Sequence, residues 1–206
     1  MALKTFVKIS GITNLTDARY CAGMYVDLLG FSLESEHPRS ISTTQFGEIT
    51  GWISGVEFVG EFEKYSVTET AETLQNYSEI KWIEHERIEV LMAFEGKGLG
   101  LIHKTTLVDI LKMDKVIVEK LSQSGILLHI TSTDQQLNSE DLDALKRLST
   151  YCKVILGTAI SPDNVTHLVD ELNLAGIALT GGDEIKPGLK DFDELADILE
   201  ALEIED

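Results

Sequence analysis

The chain has 206 residues, 43% of them hydrophobic and 25% charged, which is the composition of one globular domain with a sizeable core. Its formal net charge of −18 repels nucleic acid and anionic membranes, so we expect neither as a partner. The sequence has no apolar run long enough for a signal peptide or a membrane span, which predicts a cytoplasmic protein. Two cysteines are too few for a disulfide framework or a zinc site, and we expect no metal and no cofactor.

Short apolar runs alternate with amphipathic segments along the whole chain. The predicted strands are 5–10, 26–33, 56–62, 79–84, 98–103, 125–130, 153–157 and 176–180. The clearest helices follow Ser161-Pro162 and Asp191, and weaker helical patterns cover 66–76, 113–122 and 139–149. Strict alternation predicts a parallel sheet, and eight units of about 26 residues favour a closed (β/α)8 TIM barrel, one domain over residues 1–206, over an open doubly wound sheet.

Polar residues stand at the carboxyl ends of the predicted strands, where the active site of such a barrel lies. The residues at these ends are Ser10, Glu34, Glu61 or Glu63, His85, His103 with Lys104, His129, Thr158, and Thr180 with Gly181-Gly182. Three of the five histidines therefore end consecutive strands, a pattern that suits acid–base catalysis or a metal. Chance placement of polar residues at solvated strand ends is an equally good interpretation.

Side-chain alternation orients the first predicted strand. Val7 and Ile9 share the face that packs on helices, so Phe6, Lys8 and Ser10 should point into the barrel. A buried lysine is costly unless a carboxylate pairs with it. The candidate partners are Glu57, Glu61 and Glu84.

Several motifs, in order along the whole chain, resemble those of the phosphoribosylanthranilate isomerase family. Residues 7–13, Val-Lys-Ile-Ser-Gly-Ile-Thr, are similar to the family's V-K-I-C-G-I-T, and residues 27–31 to A-D-x-x-G-F. Pro38-Arg39 resembles part of S-P-R-Y-V-S, and residues 161–165 resemble N-P-E-N-V. Residues 182–184 and 187–191 are similar to the closing G-V-E and P-G-x-K-D.

The resemblance implies an Amadori rearrangement of phosphoribosylanthranilate in tryptophan biosynthesis. In the family, the cysteine of the first motif is the general base, and an aspartate ending the sixth strand is the general acid. Glycine-rich loops after the last two strands hold the phosphate, and the arginine of S-P-R contacts the anthranilate carboxylate. The implied ligand is a small phosphosugar-like molecule, and the implied assembly is a monomer or a homodimer.

Both catalytic positions are substituted in this chain, with Ser10 at the base position and His129 at the acid position. The resemblance assigns substrate binding to the remaining matched positions: Arg39, His85, Gly157, Thr158, Gly181 and Gly182. Asp183 replaces an apolar residue of the family, and Thr158-Ala159 replaces a glycine pair, so we expect weakened phosphate affinity.

The loss of the cysteine is the graver change. A thiol has a pKa of about 8.5 and an alcohol one nearer to water's 15.7, so about seven more pKa units, near 10 kcal/mol, oppose Ser10 as a base. Imidazolium, by contrast, is a competent acid near neutral pH. Three hypotheses stay open: a diverged isomerase with impaired or lost activity, a non-catalytic ligand-binding or regulatory barrel, and a different enzyme that uses the strand-end histidines.

Overall fold

The computed structural model describes residues 2–113, 115–132, 136–181, 184–186, 189–190 and 193–204. Eight parallel strands form a closed barrel in sequential order, β2 to β9. These strands are β2 Phe6–Ser10, β3 Leu28–Ser32, β4 Glu57–Phe62, β5 Ile80–His85, β6 Gly100–Thr106, β7 Leu127–Thr131, β8 Val154–Leu156 and β9 Gly176–Thr180. The predicted TIM barrel is therefore confirmed, with each strand boundary within three residues of its predicted position.

Helices connect the strands around the outside of the barrel. They are α1 Leu15–Gly23, α2 Thr43–Thr50, α3 Val67–Leu74, α4 Ile88–Met92, α5 Leu107–Lys112, α6 Lys115–Gln123, α7 Ser139–Ser149, α8 Val165–Glu171 and α9 Asp193–Glu200. Ser42, Ser66 and Asn138 begin α2, α3 and α7 with reciprocal capping boxes, which satisfy backbone amides that a helix start leaves free.

The predicted start of α8 at Ser161-Pro162 is wrong by three residues. The N-cap is Asn164, and its side chain serves the preceding turn: Oδ1 accepts from the Ser161 amide at 2.8 Å and Nδ2 donates to the Ala159 carbonyl at 2.9 Å. These two bonds hold the loop after β8 in place before the helix begins.

Alternating side chains divide the core into two layers. Inside the barrel, one apolar residue from each of six strands forms a small cluster with Phe6 and Trp82. These six residues are Leu28, Val59, Ile102, Leu127, Ile155 and Ala178. Val7 and Ile9 belong to the larger cluster between the sheet and the helices, so the predicted orientation of the first barrel strand is confirmed.

Two short antiparallel ladders lie outside the barrel. β1 (Ala2–Leu3) pairs with β12 (Glu203–Ile204), which ties the first described residues to the last. β10 (Glu184–Lys186) pairs with β11 (Leu189–Lys190) in the segment after β9. Within the described ranges, no helix combines the length and the apolar composition that crossing a membrane requires.

Candidate functional site

A fully buried lysine lies at the centre of the barrel mouth. Lys8, on β2, has no solvent-exposed surface. Its Nζ donates to Glu61 Oε1 at 2.5 Å and to Ser10 Oγ at 2.6 Å, and it lies 3.1 Å from Glu84 Oε2. Three partners match the three N–H groups of an ammonium ion, so the predicted pairing of Lys8 with carboxylates is confirmed.

Glu57, the third candidate partner of Lys8, is exposed at the amino-terminal end of β4. Its Oε2 accepts a hydrogen bond from the Trp82 indole Nε1 at 2.6 Å. Glu57 therefore belongs to the base of the barrel and takes no part in the lysine cluster.

The charges of the cluster stabilise one another. Burial alone would lower the pKa of Lys8, but the Glu61 and Glu84 carboxylates outweigh it and hold that pKa above its ordinary value. Burial would likewise raise the pKa of Glu84, yet Lys8 and His129 outweigh it and hold that pKa well below the ordinary range. Lys8 and Glu84 are consequently both ionised at neutral pH.

Glu84 orients the imidazole of His129. Glu84 Oε2 lies 2.8 Å from His129 Nδ1, and both side chains are buried, with 4% and 6% of their surfaces exposed. Because an ionised carboxylate only accepts hydrogen bonds, Nδ1 must carry a hydrogen, and Nε2 is left for the cavity. A Cβ at Gly157 on the neighbouring chain segment would overlap His129 Nε2, so the glycine makes room for the ring. This carboxylate–imidazole pair can give or take a proton at Nε2.

Ser10 ends β2 within reach of the same groups. Its Oγ accepts from Lys8, so its own hydroxyl hydrogen is available to a ligand. Glu61, which could have taken that hydrogen, is bonded to Lys8 through Oε1 and accepts from the Gly11 amide through Oε2 at 3.2 Å. A Cβ at Gly30 would overlap the Glu61 carboxylate, which explains the glycine in the neighbouring strand.

An open cavity of about 380 Å³ lies above the cluster. Four of the predicted site residues line it: Ser10, Arg39, His129 and Gly157. The Arg39 guanidinium packs against Gly11, where an added Cβ would lie only 3.0 Å from Nη1. Gly11 has a φ of +68°, so a side chain at this position is disfavoured for conformational reasons as well.

Charged side chains form a network at the rim of the cavity, and one of them, His37, lies beside Arg39. Lys104 Nζ lies 3.0 Å from Glu86 Oε1 and 3.8 Å from Glu63 Oε1, and His37 Nε2 lies 3.7 Å from the same Glu63 oxygen. Burial would lower the pKa of Lys104, but Glu86 outweighs it and the pKa is raised. The rim therefore contributes the Lys104 cation together with the Glu63 carboxylate, and Arg39 adds a second cation at the cavity wall.

The three strand-end histidines do not converge. His103 pairs in register with His85 and shares its side of the sheet, whereas His129 points into the barrel. His85 stacks on Phe62 and its Nε2 bonds to the Tyr65 carbonyl at 2.9 Å, so its ring does not line the cavity. Within the described residues, no group of three or more His, Cys, Asp or Glu side chains is arranged to hold a metal ion.

Only part of the predicted phosphate-binding region lies within the residues that the structure describes. Thr158 lines an adjoining cavity of about 870 Å³, together with Gly157, Ala159 and Glu194. Ala159 has a φ of +56°, a left-handed conformation where a glycine is unstrained. The Gly181 amide donates to the Ser10 carbonyl at 3.3 Å, while Gly182 and Asp183 lie outside the described residues.

Sequence reasoning missed the pairing of Glu84 with His129. The sequence offers Glu84 only as a candidate partner of Lys8, and it gives Lys104 no role at the cavity rim. The available signal was the position of an acidic residue at the inward end of the fourth barrel strand, two strands from His129. That signal could be used only once the inward face of this strand was known.

No family model matches the chain, but individual proteins of known function do. An N-(5'-phosphoribosyl)anthranilate isomerase of Sulfurovum sp. (strain NBC37-1) is 30% identical over 199 residues, which cover 92% of this chain and 94% of that protein. The corresponding protein of Trichormus variabilis is 24% identical over 216 residues, 95% and 97% of the two chains.

Solved structures of such enzymes share the fold. Phosphoribosyl anthranilate isomerase from Thermotoga maritima superposes with a TM-score of 0.74 at 20% identity, covering 96% of this chain and 98% of that one. TrpF from Jonesia denitrificans gives a TM-score of 0.77 at 16% identity, with 96% of each chain covered.

Proposed function

The chain belongs to the phosphoribosylanthranilate isomerase family, and we propose that its barrel binds a ligand of that family's kind while its isomerase activity is impaired or lost. Ser10 occupies the position of the base and His129 that of the acid. In this proposal Arg39 would contact the carboxylate of the ligand, and Gly157, Thr158 and Gly181 would hold its phosphate, with Gly182, assigned to the same role, outside the described residues. His85 receives no binding role, because its ring is engaged outside the cavity.

The observation that carries the proposal is the environment of the Ser10 hydroxyl. To act as a base, Ser10 would have to become an alkoxide, but within the described cluster its Oγ accepts from the Lys8 ammonium and no bond carries its hydrogen to the Glu61 or Glu84 carboxylate. The Lys8 ammonium, 2.6 Å from Ser10 Oγ, favours a negative charge on that oxygen, but Glu61 and Glu84 already neutralise it and leave the three groups with a net charge of −1. Lys8 therefore offsets only part of the roughly 10 kcal/mol disadvantage of an alcohol relative to a thiol.

The acid side of the chemistry is better supported. His129 presents Nε2 to the cavity and is fixed by Glu84, an arrangement that holds the imidazole in one tautomer. In its protonated form it can donate to a sugar oxygen, and in its neutral form it can accept a proton. The site thus has one proton-transfer group where the family reaction uses two.

Genetic complementation tests the biological part of the proposal. The gene would be expressed in a tryptophan auxotroph that lacks the isomerase, beside variants Ser10→Cys and Ser10→Cys/His129→Asp. We expect no growth, or slow growth, from the wild type and improvement from the double variant. Growth equal to that given by an ordinary family member would contradict the proposal.

A non-catalytic binding barrel is the second candidate, favoured by the retained cavity with Arg39 at its wall. Titration calorimetry with anthranilate and with ribose 5-phosphate distinguishes the two candidates. Binding that depends on Arg39, with no turnover even after Ser10→Cys/His129→Asp, supports a binding protein. Turnover restored in the double variant supports a diverged isomerase.

A further inference from the structure

Two cavities adjoin each other at the barrel mouth. The smaller one, of about 380 Å³, lies above the lysine cluster, and the larger one, of about 870 Å³, lies beside the loop after β8. They share four lining residues, which are Gly157, Ala178, Leu179 and Thr180. A single elongated ligand can therefore occupy both, with one end near Arg39 in the smaller cavity and the other near Glu194 in the larger one.

The two cavities differ in charge. The smaller one offers an anion the guanidinium of Arg39 and the ammonium of Lys104, which also pairs with Glu63 and Glu86. Among the described residues that line the larger cavity, one side chain is charged, and it is the carboxylate of Glu194 in the acidic first turn of α9. An anionic group is therefore favoured near Arg39 and opposed in the larger cavity.

Backbone amides that could hold a phosphate in the larger cavity already donate to partners within the protein. The Gly157 amide donates to the Ile130 carbonyl at 2.8 Å, and the Ser161 amide donates to Asn164 Oδ1 at 2.8 Å. The Gly181 amide is also engaged, through its bond to the end of β2. A bound phosphate dianion requires several N–H donors, and each of these amides would first have to give up its present hydrogen bond.

The larger cavity instead offers uncharged polar side chains. Five hydroxyl or amide residues line it: Ser132, Thr158, Ser161, Asn164 and Thr180. Hydroxyl and amide groups both donate and accept hydrogen bonds, as the hydroxyls of a sugar do. The Glu194 carboxylate, which opposes a phosphate, can itself accept a hydrogen bond from a sugar hydroxyl.

We propose that this barrel binds a sugar conjugate that carries one carboxylate and no phosphate. The carboxylate lies at Arg39 and Lys104, the sugar chain passes His129, and its unphosphorylated end lies in the larger cavity. This inference rests on the proposed function for the position of the ligand and narrows its kind, since a hydroxyl end takes the place that the family gives to phosphate. The net charge of −18 favours the less negative ligand in the same sense.

Two conjugates that differ only in the phosphate test this specificity. Reductive amination of ribose and of ribose 5-phosphate with anthranilate gives a matched pair of stable ligands, and titration calorimetry with the full chain measures the affinity for each. We expect the unphosphorylated conjugate to bind at least as tightly as the phosphorylated one. Arg39→Met should weaken both by about tenfold, because both carry the carboxylate.

Glu194→Lys tests the cause of the preference. It replaces a carboxylate by an ammonium in the larger cavity, so the phosphorylated conjugate should bind about fivefold more tightly, while the affinity for the other conjugate changes little. Glu200→Lys is the matched control, because it makes the same change of charge at an exposed residue at the other end of α9. It should leave both affinities close to those of the wild type.

The outcomes separate this inference from the proposed function. A wild type that prefers the unphosphorylated conjugate, with a preference that Glu194→Lys reduces and Glu200→Lys does not, supports the inference. Tighter binding of the phosphorylated conjugate to the wild type overturns it and leaves the proposed function standing. An equal gain from both lysine substitutions, which bulk charge explains, also overturns it. Binding of neither conjugate overturns the inference and the proposed function together.

Discussion

Replacing Lys8 by methionine should be among the most destabilising single substitutions in this protein. Methionine has nearly the length of lysine and keeps the apolar stem, so the change mainly removes the ammonium group. The side chain has no exposed surface, and its Nζ contacts Glu61, Glu84 and Ser10 within 3.1 Å. The variant is left with the buried Glu84 and the partly buried Glu61 carboxylates and without the ammonium that lies between them.

The expected cost is about 3–5 kcal/mol, the range found when one partner of a buried ion pair is removed. The matched control is Lys4→Met. Lys4 Nζ pairs with Asp170 Oδ2 at 2.6 Å, but the two side chains are 35% and 60% exposed. An exposed pair contributes about 0–1 kcal/mol, so the control should change stability little. Urea unfolding followed by circular dichroism measures both.

The cost of Lys8→Met should also depend on pH. In the wild type the pKa of Glu84 is lowered, so its contribution is present above the ordinary glutamate pKa and is lost only as pH falls through the lower folded value. The raised pKa of Lys8 keeps its contribution up to alkaline pH. Without the ammonium, the pKa of Glu84 rises relative to its wild-type value, because only His129 then opposes the effect of burial, and a proton neutralises the carboxylate at a higher pH.

The difference in unfolding free energy between Lys8→Met and wild type should therefore shrink between pH 7.5 and pH 5. A cost no larger than that of Lys4→Met would refute the account of the buried cluster. A large cost that stays constant over this pH range would place the effect in packing and not in charge.

Three further substitutions test local features of the structure. Gly157→Ala should destabilise by about 1–3 kcal/mol and move the His129 ring signals in an NMR spectrum, because its Cβ overlaps the imidazole; unmoved signals would contradict this contact. Ala159→Gly should raise the free energy of unfolding measured in urea by about 1 kcal/mol, because it relieves a φ of +56°. Alanine-to-glycine changes at other conformations usually destabilise. Glu34→Ala should lower the free energy of unfolding in urea by at least about 2 kcal/mol, because Glu34 accepts hydrogen bonds from three backbone amides of the loop after β4. The control Glu36→Ala, at an exposed position, should change it little. Equal effects of the two substitutions would argue against a role of Glu34 in holding that loop.

The barrel was predictable because its signals are local and repeated. Each strand is a short apolar run and each helix has an apolar stripe, so errors at the boundaries did not disturb the order of elements. The orientation of Lys8 was predictable for the same reason, since Val7 and Ile9 form an unambiguous outer face. The short ladders at the ends of the chain were not predicted, because two-residue strands have no period to recognise.

The arrangement of the site was less accessible from the sequence. A shift of one position along a strand moves a side chain from the cavity to the outer layer. For this reason the side chain that reaches His129 is that of Glu84, and the neighbouring His85 bonds to Tyr65 on the other side of the sheet. The register between β4 and β5 is irregular between Phe58 and Val59, a feature that no local pattern indicates. Glu84 therefore occupies the inward position beside His129, and His85 lies outside.

The most direct test of the central claim is a steady-state assay of purified protein on phosphoribosylanthranilate, comparing wild type with Ser10→Cys. We expect wild-type turnover to be absent or far below about 10 per second, a common enzyme rate, and turnover to rise when the thiol is restored. Circular dichroism verifies that both proteins are folded. Wild-type turnover near 10 per second, with no gain from Ser10→Cys, would contradict the claim that Ser10 disables the base.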